Sequence, residues 1–198
     1  MYEQSKNGKC GKLLSGFIDY VELFVIAICI VLILFSMVFR TCTVDGDSMK
    51  NTLTNGEVII VSDVFYTPKR GDIVVFHMTD DSGNPNNNKP LVKRVIGVSG
   101  DTVEIDYQGN QQMTVTVTDK DGNVTELVEE YVYLDPQRNA IIGNGDGTFK
   151  VPEGEVFVLG DNRNNSKDSR MIGCVDERSI LGKAIVRVSP ISNFGFIG

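Results

Sequence analysis

The longest hydrophobic stretch of the sequence lies near the N-terminus, where the 17 residues from 23 to 39 include no charged residue, proline or glycine. This length is close to the lower limit for a helix that crosses a bilayer, and Tyr20 and Val21 extend it if Glu22 lies at the membrane interface. A cleaved signal peptide has a shorter apolar core of about 7 to 15 residues, and no small-residue cleavage site follows here. The pattern therefore predicts a single transmembrane anchor over residues 21–39, retained in the mature protein.

After residue 39 the hydrophobic positions occur in short runs rich in aliphatic and β-branched residues, with no long helical period. Glycine-containing turn sequences such as Arg70-Gly71-Asp72 separate the runs. This pattern predicts a mostly β fold, an antiparallel and barrel-like sheet, in which residues 103–150 form a small hairpin-rich inserted subdomain. The predicted strands cover residues 58–61, 73–78, 91–98, 103–107, 113–118, 156–159 and 184–188.

The distribution of charge predicts the orientation of the chain. Three lysines within residues 6–12 precede the apolar segment, whereas Arg40 alone follows it closely. By the positive-inside rule, residues 1–20 form a cytoplasmic tail and residues 40–198 face the outside of the cell membrane. The chain has a net charge of −7 and no basic tract, so we expect no nucleic-acid partner.

Four cysteines are present, and two of them, Cys42 and Cys174, lie in the outer part of the chain. The sequence leaves open whether these two form a disulfide, although structural or free thiols are the better interpretation. No cysteine and histidine spacing of the zinc-binding type occurs, and we expect no metal site.

A candidate nucleophile, Ser48, lies in the segment Gly-Asp-Ser-Met-Lys-Asn-Thr-Leu at residues 46–53, shortly after the predicted anchor. A serine is a weak nucleophile until a base removes its proton, and histidine is the usual base. The single histidine of the chain, His77, ends a predicted strand. A Ser-His-Asp triad is disfavoured because nothing else in the sequence supplies its geometry.

A lysine can replace histidine if burial keeps the lysine neutral. Side chains alternate along a strand, so Leu91, Lys93 and Val95 share one face, and Lys93 lies between two aliphatic residues. The alternative is an edge-strand lysine whose ammonium lies in solvent. The pattern alone favours that alternative, because lysine is seldom buried.

Three segments in this order resemble the motifs of the type I signal peptidases, which use a Ser/Lys dyad. They are Gly-Asp-Ser-Met followed by Thr52-Leu53, Lys-Arg-Val-Ile-Gly-Val-Ser-Gly-Asp at residues 93–101, and Gly-Asp-Asn-Arg-Asn-Asn-Ser-Lys-Asp-Ser-Arg at residues 160–170. The anchor and the segments at residues 70–74 and 182–184 also match, so the resemblance covers most of the chain. A short chain with one anchor is similar to the Gram-positive members.

The resemblance implies a membrane-bound serine endopeptidase that cleaves signal peptides from exported preproteins after small residues of the Ala-X-Ala kind. Ser48 would be the nucleophile and Lys93 the general base. The backbone N–H of Ser48 would contribute to the oxyanion hole. Many relatives have a hydroxyl residue where this chain has Gly46, so the second oxyanion donor is left open. No cofactor is implied.

The resemblance also implies support for the two reacting residues. Ser166 matches the serine that helps to orient the lysine. Two positions depart from the family, since Asn51 and Ser99 stand where prolines are usual, and losing a proline loosens a loop. The residues matched as structural support are Met49, Arg94, Asp161, Asp168 and Arg170, with Asp161 expected to pair with Arg94.

The expected partners are exported preproteins with signal peptides and the lipid bilayer, and the secretion translocon is a further candidate. One rival hypothesis is a non-catalytic assembly factor or chaperone that binds secreted or pilin-like chains. The presence of both Ser48 and Lys93 favours an enzyme. A second rival, a soluble self-cleaving Ser/Lys repressor, is disfavoured by the predicted anchor and by the lack of a DNA-binding segment.

Overall fold

The computed structural model describes residues 4–78, 89–109, 112–136 and 147–197. The chain divides into two units that meet between Phe39 and Arg40. The first unit contains one long helix, α1 (Gln4–Val38). Large hydrophobic side chains are exposed along it from Phe17 to Phe35. Across the described residues, no helix was found to combine the length and the apolar character that a membrane crossing requires.

The second unit consists of antiparallel strands joined by turns and short helices. The strands are β1 (Phe39–Thr43), β2 (Val58–Ser62), β3 (Ile73–His77), β4 (Pro90–Gly97), β5 (Thr102–Gly109), β6 (Gln112–Thr118), β7 (Val124–Glu126), β8 (Gly147–Lys150), β9 (Glu155–Leu159), β10 (Val175–Asp176), β11 (Ile180–Ser189) and β12 (Gly195–Phe196). The one short α-helix of this unit among the described residues is α2 (Ser169–Ile172), and 3₁₀ turns cover Glu177–Ser179 and Ile191–Asn193.

The larger sheet places β4 in its interior. Its strand order is β1-β2-β11-β3-β4-β9-β10, and β12 pairs with β11. On β4, Lys93 lies opposite Val74 of β3, and Arg94 lies opposite both Ile73 of β3 and Leu159 of β9. β3 pairs with Pro90–Arg94 of β4, and β9 pairs with Arg94–Gly97. Lys93 is therefore paired on the β3 side, and the pairing with β9 begins at the next residue.

The smaller sheet has the order β7-β6-β5-β8 and comes from residues 102–150. Its inward valines and Ile105 form one core cluster with Ile96, Phe157 and Leu159 of the larger sheet. Gly97 lies at this contact, where an added Cβ would be 2.6 Å from Cγ2 of Val103. The two sheets therefore share a core, and a larger residue than glycine would separate them at this point.

The mostly β, antiparallel fold predicted from the sequence is confirmed. All seven predicted strands are present, with ends that differ by a few residues. The sequence did not indicate β1, β7, β8, β10 or β12, each of which is five residues or fewer and mostly exposed or at a sheet margin. Cys42 and Cys174 are free thiols and contact different core clusters.

Candidate active site

Ser48 stands just before a tight turn whose apolar residues are buried. The N–H of Leu53 donates to the carbonyl of Met49 at 2.7 Å and closes the turn. Both Met49 and Leu53 belong to the core cluster beneath the larger sheet, so their burial fixes the turn in place. Ser48 itself is half-buried. The turn therefore presents the hydroxyl at the surface of a packed core.

Gly46 shapes the loop in front of the nucleophile. Its φ of 94° is a conformation that residues with a side chain rarely adopt. Its N–H donates to Oδ1 of Asn55 at 2.9 Å. Because this N–H is already engaged and glycine carries no hydroxyl, the second oxyanion donor stays open, and the supporting role of Gly46 stays a prediction.

Lys93 is buried beside Ser48. The residue is only 2% exposed. Its Nζ lies 2.7 Å from Oγ of Ser48 and donates to the carbonyl of Val92 at 2.8 Å. The interpretation favoured by strand alternation alone, a lysine with its ammonium in solvent, is therefore wrong, because the ammonium is buried against the Ser48 hydroxyl and the carbonyl of Val92.

Burial also changes the acidity of this lysine. Desolvation of the ammonium lowers the pKa of Lys93 to about 8, although the carboxylates of Asp168 and then Asp161 oppose the shift. An amine with this pKa is partly neutral near pH 7, whereas an ordinary lysine is almost entirely protonated. At 2.7 Å from the Ser48 hydroxyl, the neutral amine is within the range for accepting its proton.

Arg94, the neighbour of Lys93, forms a buried ion pair with Asp161. Its Nε and Nη2 donate to the two carboxylate oxygens at 2.9 and 2.7 Å. Asp161 also accepts from Oγ1 of Thr52, which lies in the turn after Ser48. Since an unpaired buried charge is costly, this pair holds β4, the turn and the loop at residues 160–170 together.

Asp168 and Arg170 form a second ion pair, with both side chains fully buried. Two bonds of 2.7 Å join the guanidinium to the carboxylate. Asp168 also accepts from the N–H of Gly160 at 3.0 Å, and Arg170 donates to the carbonyl of Arg163 at 2.7 Å. The pair therefore closes the loop at residues 160–170 on itself.

Asn162 is a contact to the nucleophile that the sequence analysis did not identify. Its backbone N–H donates to the carbonyl of Ser48, and its Nδ2 donates to the carbonyl of Asp47, each at 3.0 Å. These bonds hold the backbone on both sides of the reacting residue. The sequence indicated this residue only through its position in the Gly-Asp-Asn motif.

Gly160 and Ser166 lie against the same backbone. A Cβ added to Gly160 would be 2.2 Å from Oγ of Ser166 and 2.6 Å from the carbonyl oxygen of Ser48. Only glycine therefore allows the loop to approach the nucleophile this closely. Ser166 is buried, and within the described part of the chain its hydroxyl has no hydrogen-bond partner. Its orienting role toward Lys93 stays a prediction.

The remaining candidates lie away from this site. His77 is exposed at the end of β3, opposite Pro90. Among the described residues, no group of three or more histidine, cysteine or acidic side chains is arranged to hold a metal ion. Among the candidates, the structure brings Ser48 and Lys93 into hydrogen-bond contact.

Comparisons with known proteins identify the family of this chain. The sequence model of the family described as "Signal peptidase, peptidase S26" matches residues 17–189. Signal peptidase I of Leptolyngbya laminosa is 36% identical over 160 residues, which cover 78% of this chain and 71% of the relative. Signal peptidase IB of Staphylococcus aureus is 33% identical over 192 residues, which cover 89% of this chain and 92% of the relative.

A solved structure of a signal peptidase I from Enterococcus faecalis is 32% identical and covers 60% of this chain and 97% of its own, with a TM-score of 0.42. The superposition is too partial to support an argument about the fold. The family match and the two curated relatives each span most of the chain. They confirm the resemblance that the ordered motifs indicated. The chain belongs to the S26 peptidase family, the signal peptidases.

Proposed function

We propose that this protein is a membrane-anchored serine endopeptidase that removes N-terminal signal peptides from exported preproteins after small residues. Ser48 is the nucleophile and Lys93 is the general base. The observation that carries the proposal is the 2.7 Å contact between Lys93 Nζ and Ser48 Oγ. It joins a serine to a buried amine at the distance that proton transfer requires.

The reaction proceeds in two stages. Neutral Lys93 accepts the Ser48 proton as Oγ attacks the scissile carbonyl, and the lysine then returns this proton to the departing amine. Lys93 then accepts a proton from the water that attacks the acyl-enzyme and returns it to Ser48 Oγ as the acyl–Oγ bond breaks. The backbone N–H of Ser48 stabilises the negative charge on the carbonyl oxygen in both stages. Asn162 and the Arg94–Asp161 pair hold the reacting groups in position.

The anchor over residues 21–39 is part of this proposal. It is supported by the uncharged sequence from 23 to 39 and by the family membership. A surface of exposed aliphatic and aromatic side chains from Phe17 to Phe35 is unfavourable in water and favourable in lipid. The lysines at residues 6–12 orient the N-terminus toward the cytoplasm. The bilayer and exported preproteins are then its partners, with the secretion translocon as a further candidate.

Removing either reacting group should abolish cleavage. We expect Ser48→Ala and Lys93→Ala to lower kcat/KM by at least about 10³-fold, because the first removes the nucleophile and the second removes the general base. The assay uses the detergent-solubilised full chain and a preprotein with an Ala-X-Ala site, with the cut position determined by mass spectrometry. Ser192→Ala and Lys120→Ala, which change exposed residues far along the chain, are the matched controls.

Wild-type cleavage after the small residue, retained in both controls, is the expected result. If the folded wild type cuts none of several preproteins, the rival hypothesis of a non-catalytic assembly factor is favoured instead. Cleavage that survives Ser48→Ala would show that another residue is the nucleophile.

The rate should depend on pH through Lys93. Only the neutral amine acts as the base, and its pKa is about 8. We therefore expect kcat/KM to rise about tenfold per pH unit well below that value and to level off above it. A profile that is flat between about pH 6 and 9 would contradict a lysine base with this pKa.

Membrane attachment can be tested by alkaline carbonate extraction of cells that express the full chain. We expect the wild type to remain in the membrane pellet. Replacing Ile30 and Val31 with aspartate should release it, because each charge at the bilayer centre costs roughly 2.5 to 3.5 kcal/mol. Lys120→Asp, which adds an acidic residue in an exposed turn, is the control. Recovery of the wild type in the soluble fraction would contradict the anchor.

A further inference from the structure

The segment at residues 129–135, which follows β7, runs beside the loop at residues 160–164. The N–H of Tyr133 donates to the carbonyl of Asp161 at 2.8 Å, and the N–H of Arg163 donates to the carbonyl of Tyr133 at 3.0 Å. Asn164 and Asp135 add a reciprocal pair of bonds at 2.8 and 2.9 Å. The segment therefore forms a short parallel ladder with this loop.

One peptide group connects this ladder to the nucleophile. The carbonyl of Asp161 accepts from Tyr133, while the N–H of Asn162, in the same peptide group, donates to the carbonyl of Ser48 at 3.0 Å. In a trans peptide the C=O and the N–H point in opposite directions. The Asp161–Asn162 peptide group is therefore hydrogen-bonded to Tyr133 on one side and to the backbone of Ser48 on the other.

A buried ion pair fixes the same segment more strongly. The guanidinium of Arg163 is fully buried and donates to both carboxylate oxygens of Glu129, with Nη1–Oε2 at 2.7 Å and Nη2–Oε1 at 2.5 Å. Nε of Arg163 donates to the carbonyl of Gly160 at 3.1 Å, and the hydroxyl of Tyr131 donates to Glu129 at 2.9 Å. Without Glu129, Arg163 would be left as a buried charge with too few partners.

Two aromatic rings of the segment contact cations next to the reacting residues. The guanidinium of Arg94, adjacent to Lys93, lies 3.8 Å from the ring centre of Tyr131. The ammonium of Lys50, two residues after Ser48, lies 4.9 Å from the ring centre of Tyr133. Each distance is within the range of a favourable cation–π contact. The segment thus contacts a residue adjacent to Lys93 and a residue two positions after Ser48.

We propose that Glu129, Tyr131 and Tyr133 are positioning residues for the peptidase reaction, which set the distance between Ser48 and Lys93 through the Asp161–Asn162 peptide group and Arg94. This proposal rests on the proposed function. These three residues lie outside the three sequence motifs that match the family. Displacing a reacting group by about 1 Å can lower a rate by about 10²-fold, so support of this kind has a kinetic consequence.

The test compares paired variants of the full chain in the preprotein cleavage assay. Glu129→Gln weakens the pair with Arg163, and Tyr131→Leu removes the ring from Arg94. The matched controls are Glu130→Gln and Val128→Ala, which change exposed neighbours of Glu129. Tyr131→Phe keeps the ring but loses the hydroxyl that donates to Glu129, and it should restore part of the kcat lost in Tyr131→Leu. Circular dichroism identifies a temperature at which every variant is folded, and kcat and KM are measured separately at that temperature.

We expect Glu129→Gln and Tyr131→Leu to lower kcat by about tenfold or more while KM changes less than about threefold, because they alter transition-state geometry and not substrate affinity. Both controls should remain within about threefold of the wild type. A lower melting temperature with unchanged kcat would overturn the proposal by showing a structural role alone. A raised KM with unchanged kcat would overturn it in favour of substrate binding.

The wild type and Ser48→Ala are assayed in parallel, so that a failure of the proposed function can be distinguished from a failure of the positioning proposal. If the wild type does not cleave, or if Ser48→Ala cleaves equally well, the proposed function fails and the positioning proposal fails with it. If that pair behaves as expected and the segment variants match their controls, only the positioning proposal is overturned.

Discussion

The burial of Lys93 against Ser48 is the constraint on which the site depends. Desolvation lowers the pKa of the lysine and so makes it a usable base, but the same desolvation opposes folding whenever the lysine is charged. The lysine stays in place because it is paired with Val74 of β3 and because its Nζ has two oxygen partners. The stability of the sheet therefore compensates for the cost of burying Lys93 next to the serine that it must deprotonate.

The other buried charges near the site occur as pairs. Arg94 pairs with Asp161, Arg170 with Asp168, and Arg163 with Glu129. Each pair joins residues that the apolar core does not hold directly, since most of them lie in loops. Such pairs contribute little net stability compared with apolar packing, but removing one partner is costly, so they specify one arrangement of the loops. The reacting groups thus rest on a polar framework that the two-sheet core holds in place.

The sequence predicted the parts of the structure that local patterns determine. Apolar runs identified the main strands, whereas β7, β8, β10 and β12 were too short to give a pattern. Strand alternation could not predict the burial of Lys93, because the lysine packs against Ser48 and pairs with Val74, both distant in sequence. The ordered motifs supplied this information. Glu129, Tyr131 and Tyr133 were missed because their partners are also distant and no periodicity marks the segment.

The most direct test of the central claim is the pKa of Lys93 in the folded protein. It can be measured by following the side-chain carbon and nitrogen resonances of labelled lysine from about pH 6 to 12, a range that spans the ordinary lysine pKa. Loss of one resonance in Lys93→Arg assigns the signal. A midpoint near 8, well below that of the exposed lysines, is the result expected from the buried contact with Ser48. A midpoint near 10.4, the value of an unperturbed lysine, would contradict the role of Lys93 as a neutral base.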